Sequence, residues 1–344
     1  MSEKILIINT GGTIGMVNSD PNDDNSPLRP ATNWNEIIKK HPIVEKFPAD
    51  YYQFPELIDS SNMNPQVWIE LAKIIKKNYE EYRGFVVLHG TDTMAYTASA
   101  LSFMLKNLSK PVIFTGSQVP LNTARSDALQ NLITSVQIAG NEIYNIKVIP
   151  EVCIFFRDTL LRGNRARKMD ATNYFGFSSP NFLPLGEAGA EITISYDRIR
   201  PISEKDFYVE PVADSNILVI ELFPGLKTTY LKNIIDALPD LKGIILRTFG
   251  NGNAPTDLEF IDVLKHISKK GILIVNTTQC STGSVKMGLY ETSVMLEEIG
   301  VIDGGDMTPE TAITKLMYLL GKNLSAKEIK TLMESNICGE REEK

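Results

Sequence analysis

Several features that often reveal a protein's chemistry are scarce in this sequence of 344 residues. Its three cysteines, Cys153, Cys280 and Cys338, are far apart, so neither a disulfide framework nor a zinc-binding spacing is indicated. We therefore expect reduced thiols and a cytoplasmic location. Positive charge is not in excess, because 42 acidic residues outnumber 35 lysines and arginines. A nucleic-acid partner is therefore not expected.

Long apolar runs are missing too, and this argues against a membrane-spanning segment. A secretory signal peptide is not expected, because the chain enters the short apolar run 5–8 almost at once. The G-x-S-x-G, HExxH and P-loop motifs are absent. Of the three histidines, His41 and His266 are expected at the surface, so a serine–histidine–aspartate triad would have to use His89. That alternative stays open at this point.

Short apolar runs predict strands that are buried on both faces, as in parallel sheets. These runs are residues 5–8, 85–88, 112–114, 152–156, 217–220, 243–246 and 272–275. Helical patterns lie between and after them, at about 65–82, 95–106, 123–139, 256–268, 309–320 and 326–334. This alternation predicts an α/β fold with a mainly parallel sheet.

Regular alternation is weakest at 178–214, where glycines and prolines interrupt short alternating pieces. We predict an N-terminal catalytic α/β domain at 1–190, a linker at 191–215 and a C-terminal α/β domain at 216–344. The charged tail 340–344 follows Gly339 and is typical of a frayed, solvated end.

A glycine-rich turn, NTGGTIG at 9–15, follows the first predicted strand. Such a turn places backbone N–H groups at the carboxyl edge of a parallel sheet, where α/β proteins bind ligands. A hydroxyl held there, Thr10 or Thr13, can act as a nucleophile if a base activates it. A dinucleotide loop is disfavoured, since the G-x-G-x-x-G pattern fails and the polar segment 18–30 predicts a mobile loop instead of a helix.

A second hydroxyl-rich turn, HGTDT at 89–93, follows another buried strand. Asp92 and Thr93 suit a helix N-terminus, so helix capping is one interpretation of them. Ser60 and Ser61 form a third turn of this kind, and three such turns can converge on one polar ligand. Lys168 lies in a basic segment typical of a surface loop, but a lysine desolvated near Asp92 could help to move protons.

The motifs taken together resemble those of the bacterial-type L-asparaginases, and specifically of their cytoplasmic type I branch. The matching segments are TGGTIG at 10–15, DSS at 59–61, LHGTDTM at 88–94, TGSQ at 115–118 and GN at 252–253. The resemblance extends over about 4–338. It implies a larger N-terminal α/β domain with a mainly parallel sheet and a smaller C-terminal α/β domain. It also implies hydrolysis of L-asparagine without a metal or cofactor, in a homodimer or homotetramer.

The resemblance assigns roles residue by residue. Thr13 matches the nucleophile that forms an acyl-enzyme. Thr91, Asp92 and Lys168 match a second catalytic threonine with its aspartate and lysine partners. Five positions match residues that bind the substrate, namely Asp59, Ser60, Ser61, Asp92 and Asn253. Asp92 also matches a ligand of the substrate's α-ammonium group. Asn253 matches a residue that reaches a neighbouring subunit's site.

The sequence departs from the family pattern in one place. Many members carry a tyrosine in the loop after the nucleophile, but residues 17–32 contain none. Tyr290 matches a position from which other members supply this tyrosine, and an ordinary packed aromatic is the alternative. Some type I members also bind asparagine at an allosteric site, where Arg247 and Cys280 would lie. The competing interpretation of Cys280 is a small buried residue.

Three other functions compete with this one. A glutaminase-asparaginase would act on L-glutamine as well, and one methylene gives a pocket only roughly 1–3 kcal/mol of discrimination. An amidase subunit that supplies ammonia to a tRNA-bound amino acid would resemble this family but carry an extra N-terminal domain. A catalytically silent asparagine sensor would use the same pocket and release no ammonia.

Overall fold

A computed structural model describes residues 3–20, 23, 26–38, 41–288 and 291–343 of the chain. Contacts divide it into two units, Met1–Pro211 and Val212–Lys344. The division falls inside the predicted linker 191–215. Part of that segment is not a linker, because Ile192–Ile194 and Tyr208–Val209 form strands of the first unit.

The first unit is built on a sheet that has eight strands in the described ranges. In chain order they are β1 (Ile5–Asn9), β2 (Ala49–Gln53), β3 (Phe85–Leu88), β4 (Val112–Thr115), β5 (Val152–Phe156), β6 (Thr159–Arg162), β7 (Gly186–Ala188) and β8 (Ile192–Ile194). Their order in the sheet is β8-β7-β6-β5-β4-β3-β1-β2. Strands β2, β1, β3, β4 and β5, in this order across the sheet, pair in parallel with their neighbours. Strands β6, β7 and β8 pair antiparallel. Strands β1, β3, β4 and β5 are buried at every residue, as their apolar runs predict.

The strand order reverses at β1, whose two neighbours are β2 on one side and β3 on the other. In an open parallel sheet of this order, a crevice forms outside the carboxyl ends of the strands at the point of reversal. The segments that leave β1 and β3 at that edge are the two threonine turns, 10–15 and 89–93. The topology therefore places both turns where an α/β sheet binds ligands.

Helices and short strands complete the first unit. The helices are α1 (Trp34–Ile38), α2 (Pro65–Asn78), α3 (Met94–Met104) and α4 (Ala128–Gly140). The 3-10 helices are Thr13–Gly15, Pro42–Lys46, Ser60–Asn62, Asn141–Tyr144, Gly163–Arg165 and Tyr196–Arg198. Short antiparallel pairs join Leu105–Lys106 to Tyr208–Val209, Arg167–Lys168 to Phe177–Ser178, and Met16–Asn18 to Leu28–Pro30. The last pair corrects the prediction of a loop over 18–30, whose two ends form a β-ladder.

The second unit has its own parallel sheet and helices. In the described part, the strands are β9 (Ile217–Glu221), β10 (Gly243–Thr248), β11 (Leu273–Thr278) and β12 (Ile302–Asp303), and they lie in chain order. The helices are α5 (Thr228–Asp236), α6 (Leu258–Lys269), α7 (Glu291–Ile299), α8 (Pro309–Leu320) and α9 (Ala326–Glu334). The predicted α/β class, with a larger N-terminal and a smaller C-terminal part, is confirmed. None of the helices in the described ranges has the length and apolar character needed to cross a bilayer.

The charged C-terminal tail begins with two buried residues, Glu340 and Arg341, so its prediction as a frayed end is wrong for them. Glu342 and Glu343 are exposed. The Glu340 carboxylate lies 2.6 Å from the Lys315 ammonium on α8, and both side chains are fully buried. It also accepts hydrogen bonds from the backbone N–H groups of Ile337 and Cys338. Burial alone would raise the pKa of Glu340, but the lysine and these donors outweigh it and hold the pKa below its usual value. The Arg341 guanidinium donates to the carbonyl of Asp303 at the end of the sheet.

Replacing Glu340 by glutamine is expected to destabilise the protein by about 3–5 kcal/mol, because it leaves the Lys315 charge buried without its partner. Thermal unfolding at neutral pH measures this loss, and Glu343→Gln on an exposed residue of the same tail is the control. The difference should shrink as the pH falls, since a carboxylate with a lowered pKa stabilises the fold only while it is ionised. Equal melting temperatures for the two variants would contradict the assignment.

Candidate active site

The first turn leaves β1 through two glycines that the local geometry requires. Gly11 and Gly12 have φ angles of 126° and 90°, which side chains disfavour. A Cβ on Gly11 would lie 2.3 Å from the carbonyl oxygen of Ile58. The turn therefore packs against the segment before Ser60, and it delivers Thr13 to the start of a 3-10 helix.

The two threonines of this turn have different environments. Thr10 is fully buried, and its hydroxyl donates to the carbonyl oxygen of Leu88 at 2.9 Å. This hydrogen bond ties β1 to β3 and leaves no room for a substrate. Thr13 is half-buried, and its hydroxyl has no hydrogen bond to any residue in the described ranges. Of the two candidates left open by the sequence, Thr13 is the one whose hydroxyl is available.

The second turn leads from β3 into α3 without capping that helix. Thr93 is the N-cap residue, but its side chain makes no cap hydrogen bond. Its hydroxyl instead donates to the carbonyl oxygen of Ser60 at 2.7 Å. Asp92 is paired with Lys168. The capping interpretation is therefore wrong, because Thr93 links the second turn to the third and Asp92 pairs with Lys168.

The three turns touch one another through glycine backbones. A Cβ on Gly12 would lie 2.5 Å from the backbone nitrogen of Gly90. A Cβ on Gly90 would in turn lie 2.5 Å from the hydroxyl of Ser60. Ser60 itself is buried. This stack of Gly12, Gly90 and Ser60 sets the distance between the turns that carry Thr13 and Thr91.

Replacing Gly90 by alanine is expected to separate these turns, because the added methyl group would overlap Ser60. We expect a destabilisation of about 1–3 kcal/mol, typical of overpacking. The loss of activity should be larger, roughly 10²-fold, as for a misplacement of about 1 Å in a catalytic group. Thermal unfolding and steady-state kinetics measure the two effects. Gly189→Ala is the matched control, because its added Cβ meets no atom within 4 Å; equal activity in both variants would be against this packing argument.

Lys168 connects the carboxylate and the hydroxyl of the second turn. Its ammonium nitrogen lies 2.8 Å from the hydroxyl oxygen of Thr91 and 2.6 Å from a carboxylate oxygen of Asp92. The lysine side chain is 19% exposed, whereas that of Asp92 is 63% exposed. Lys168 is positioned by the short strand Arg167–Lys168, where it pairs with Phe177. A largely buried cation therefore polarises the Thr91 hydroxyl, while the exposed carboxylate faces the crevice edge.

Gln118 is a residue of this cluster to which the sequence assigned no role. Its side-chain oxygen lies 3.4 Å from the Thr91 hydroxyl, and its side-chain nitrogen donates to the carbonyl oxygen of Asn173 at 3.0 Å. Asp127 accepts a hydrogen bond from its backbone N–H at 3.1 Å. The signal that could have identified it is its place just after β4, the strand next to β3.

The third turn carries two polar groups at the rim of a cavity. Asp59 accepts hydrogen bonds from the backbone N–H and the hydroxyl of Ser61, both at 2.9 Å. These bonds lower the pKa of Asp59, with the backbone donor contributing most. A cavity of about 170 Å³ lies between Asp59, the glycines of the first turn, and Met16 and Pro30 of the short β-ladder. Its rim thus offers an ionised carboxylate to a cationic group.

His89 does not form a catalytic triad. The ring is fully buried, and burial lowers its pKa to about 4. One ring nitrogen lies 2.7 Å from the carbonyl oxygen of Gly90 and the other 2.9 Å from the hydroxyl of Thr97. Both ring nitrogens are therefore engaged inside the fold, and the alternative of a serine–histidine–aspartate triad that uses His89 does not hold.

The remaining predicted residues belong to the second unit. Asn253 closes a tight turn, in which it exchanges backbone hydrogen bonds with Phe249. Arg247 and Cys280 lie on or just after neighbouring strands, and the Arg247 guanidinium is paired with Glu221. Cys280 is exposed, so its interpretation as a small buried residue is wrong. Tyr290 lies outside the described residues.

The geometry of the first unit combines an available hydroxyl, a second hydroxyl held by a lysine, and two carboxylates at the rim. Thr13 can attack a carbonyl carbon, and backbone N–H groups of the glycine turns can stabilise the resulting oxyanion. Asp59 and Asp92 suit a cationic ligand group. Such an arrangement would suit the hydrolysis of a small polar molecule that carries both an ammonium group and an acyl carbon.

Comparisons with known proteins agree over nearly all of the chain. The asparaginase N-terminal family model matches residues 4–200, and the glutaminase/asparaginase C-terminal domain model matches residues 216–333. L-asparaginase 1 of Escherichia coli is 41% identical, with 98% of each chain covered. The structure of L-asparaginase I from Vibrio cholerae is 42% identical and superposes with a TM-score of 0.89, covering 99% of this chain and 100% of the other. A structure named probable cytoplasmic L-asparaginase, from Campylobacter jejuni, is 26% identical with a TM-score of 0.77, covering 98% and 100%.

Proposed function

The chain belongs to the asparaginase family and is an L-asparagine amidohydrolase, and we propose that it forms L-aspartate and ammonia through an ester on Thr13. The observation that carries this proposal is the difference between the two threonines of the first turn. Thr10 is consumed by a structural hydrogen bond, whereas the Thr13 hydroxyl is available beside the turn that holds Thr91.

In the first step, the Thr13 oxygen attacks the carboxamide carbon of the substrate. The hydroxyl proton is transferred, by way of the base, to the amide nitrogen, and the C–N bond breaks to release ammonia. Backbone N–H groups at the glycine turns stabilise the oxyanion, and one such donor is worth roughly 3 kcal/mol in other hydrolases. We propose two candidates for the base, the Thr91–Asp92–Lys168 relay and Tyr290.

In the second step, water hydrolyses the aspartyl ester and regenerates the Thr13 hydroxyl. Thr91 is suited to orient this water, because Lys168 and Gln118 fix its hydroxyl from two sides. The proton released by the water passes to the Thr13 oxygen as the ester bond breaks. No net proton or electron is required beyond those of water and the amide.

We assign binding of the substrate's α-ammonium and α-carboxylate groups to residues at the rim of the cavity. Asp59 and Asp92 would pair with the α-ammonium group, and their exposure lets them do so without a large desolvation cost. Ser60 and Ser61 would contact the α-amino and α-carboxylate groups of the substrate. Ser60 lies deepest, so its contribution depends on the spacing that Gly90 sets.

Three further properties are proposed with the same function. A homodimer or homotetramer would let Asn253 of one copy reach the site of another. Analytical ultracentrifugation measures the oligomeric state. The absence of disulfides among the described cysteines and the Campylobacter relative support a cytoplasmic location. Arg247 and the exposed Cys280 are proposed to border an allosteric asparagine site.

Ammonia release from L-asparagine and from L-glutamine, measured separately, tests the function. We expect release from L-asparagine with stoichiometric L-aspartate, and a lower kcat/KM for L-glutamine. Comparable values for both amides would identify a glutaminase-asparaginase. Binding of L-asparagine by calorimetry without any ammonia would contradict the enzyme and favour the asparagine sensor.

A further inference from the structure

His89 is the first residue of the second turn, yet it has no part in the chemistry proposed above. The ring is fully buried between α3 and the sheet and packs edge-on against Phe114. Its two nitrogens contact Gly90 and Thr97, and the indole N–H of Trp68 donates to the same Thr97 hydroxyl at 3.1 Å. A buried chain of hydrogen bonds therefore ends on the backbone of the turn.

The chemistry of the partners decides which nitrogen of His89 carries the proton. The carbonyl oxygen of Gly90 can only accept, so Nδ1, at 2.7 Å, must donate to it. Nε2 is then the acceptor, and it receives the hydroxyl proton of Thr97 at 2.9 Å. The Thr97 oxygen in turn accepts from Trp68. All of these side-chain groups are satisfied in a single arrangement of the protons.

The hydrogen bond from His89 also determines how the Gly90–Thr91 peptide is oriented. In a planar trans peptide, the C=O and N–H groups point in opposite directions. Because the Gly90 carbonyl is turned inward to the buried ring, the Thr91 N–H is turned away from it. Thr91 is half-buried and lies at the crevice. Gly90 has no side chain of its own to hold this peptide, and its Cα is confined by Gly12 and Ser60.

We propose that His89 is a positioning residue, whose Nδ1–H holds the Gly90 carbonyl and thereby aims the Thr91 N–H at the substrate carbonyl held beside Thr13. This inference rests on the proposed function, since it assigns the orientation of Thr91 in the same reaction. The imidazole acts through the backbone and exchanges no proton with substrate.

Two substitutions separate the roles of the two nitrogens. His89→Asn places an amide N–H near the position of Nδ1, so it keeps the hydrogen bond to Gly90 and loses the contact with Thr97. His89→Gln reaches the position of Nε2 and loses the bond to Gly90. We expect His89→Gln to lower kcat roughly 10²-fold, as for a misplaced catalytic group, with little change in KM. His89→Asn should retain most of kcat.

Thr97→Val is the matched control for stability. It breaks the same buried chain without touching the Gly90 carbonyl, so it should lower the melting temperature as His89→Gln does while keeping most of kcat. A loss of kcat that follows the melting temperature across the three variants would overturn the proposal and leave His89 a structural residue. Equal kcat in His89→Asn and His89→Gln would also overturn it.

Nitrogen NMR of the wild-type protein labelled in histidine gives a readout that does not depend on activity. The expected spectrum of His89 at neutral pH is that of a neutral ring protonated at Nδ1, and a proton on Nε2 would overturn the proposal even if His89→Gln failed to fold. Ammonia release by the wild-type protein tests the proposed function separately. An active enzyme with the wrong tautomer, or with equal Asn and Gln variants, would refute only the role of His89.

Discussion

Replacing Thr13 by alanine is expected to lower kcat for L-asparagine by about 10⁴- to 10⁶-fold, the loss typical of removing a catalytic nucleophile. The substitution removes the attacking oxygen and leaves Asp59 and Asp92 in place. Binding of L-asparagine should therefore change little. Ammonia release and calorimetry with the same preparation measure the two quantities.

Thr10→Val is the matched control, because it changes a threonine of the same turn by removing only the hydroxyl. That hydroxyl is buried and donates to the Leu88 carbonyl, which also accepts from the Thr10 backbone N–H. Its loss should therefore lower the stability by about 0.5–1.5 kcal/mol and spare most of the activity. If Thr10→Val lost as much activity as Thr13→Ala at unchanged stability, the assignment of the nucleophile would have to be reversed.

Replacing Lys168 by methionine is expected to lower kcat by about 10²- to 10³-fold. Methionine keeps the length and apolar stem of the side chain but removes the cation that contacts Thr91 and Asp92. The Thr91 hydroxyl is then no longer polarised, and the contribution of proton transfer and electrostatic stabilisation at this position is lost. Steady-state kinetics with L-asparagine measures the effect.

Lys205→Met, on an exposed lysine of the same unit, controls for the change of net charge. It should leave kcat and KM close to the wild-type values. A Lys168→Met enzyme that kept its kcat would contradict any role of the lysine in the reaction, and it would make Tyr290 the remaining candidate for the base.

Most of the parallel strands were predictable because they are short, apolar throughout and bounded by polar turns. The strands β1, β3 and β5 show this pattern plainly. Strand β2 does not, since its sequence ADYYQ is half-exposed at the sheet edge and needs no apolar run. Its place next to β1 creates the reversal of strand order. The sequence therefore indicated that the polar turns could converge on one ligand, but not the edge strand whose position creates the crevice.

Other features depend on contacts between residues that are distant in the sequence. Lys168 lies in a basic segment that alone is typical of a surface loop, and only pairing with Phe177 turns it toward Asp92. The tail around Glu340 is charged, and only the buried lysine on α8 explains its burial. Such tertiary pairings override local composition. Composition alone therefore favoured a surface loop for Lys168, whose pairing with Asp92 was indicated only by the family resemblance, and it gave no sign that Glu340 is buried.

The roles of His89 and Gln118 show the same limit within the site. Both lie in motifs that the sequence singled out, directly after buried strands. Their side chains act on the turn of Thr91 through a carbonyl oxygen and through a long hydrogen bond, respectively. Neither contact leaves a periodic or compositional signal, because each depends on the direction of a single side chain.

The ester on Thr13 is the central claim, and trapping it tests that claim most directly. The wild-type enzyme would be mixed with L-asparagine, quenched rapidly in acid, digested and analysed by mass spectrometry. We predict an aspartyl group on the peptide that contains Thr13, with none on the peptide that contains Thr91. An aspartyl group on Thr91, or rapid turnover without any adduct under quenching that preserves esters, would contradict the account.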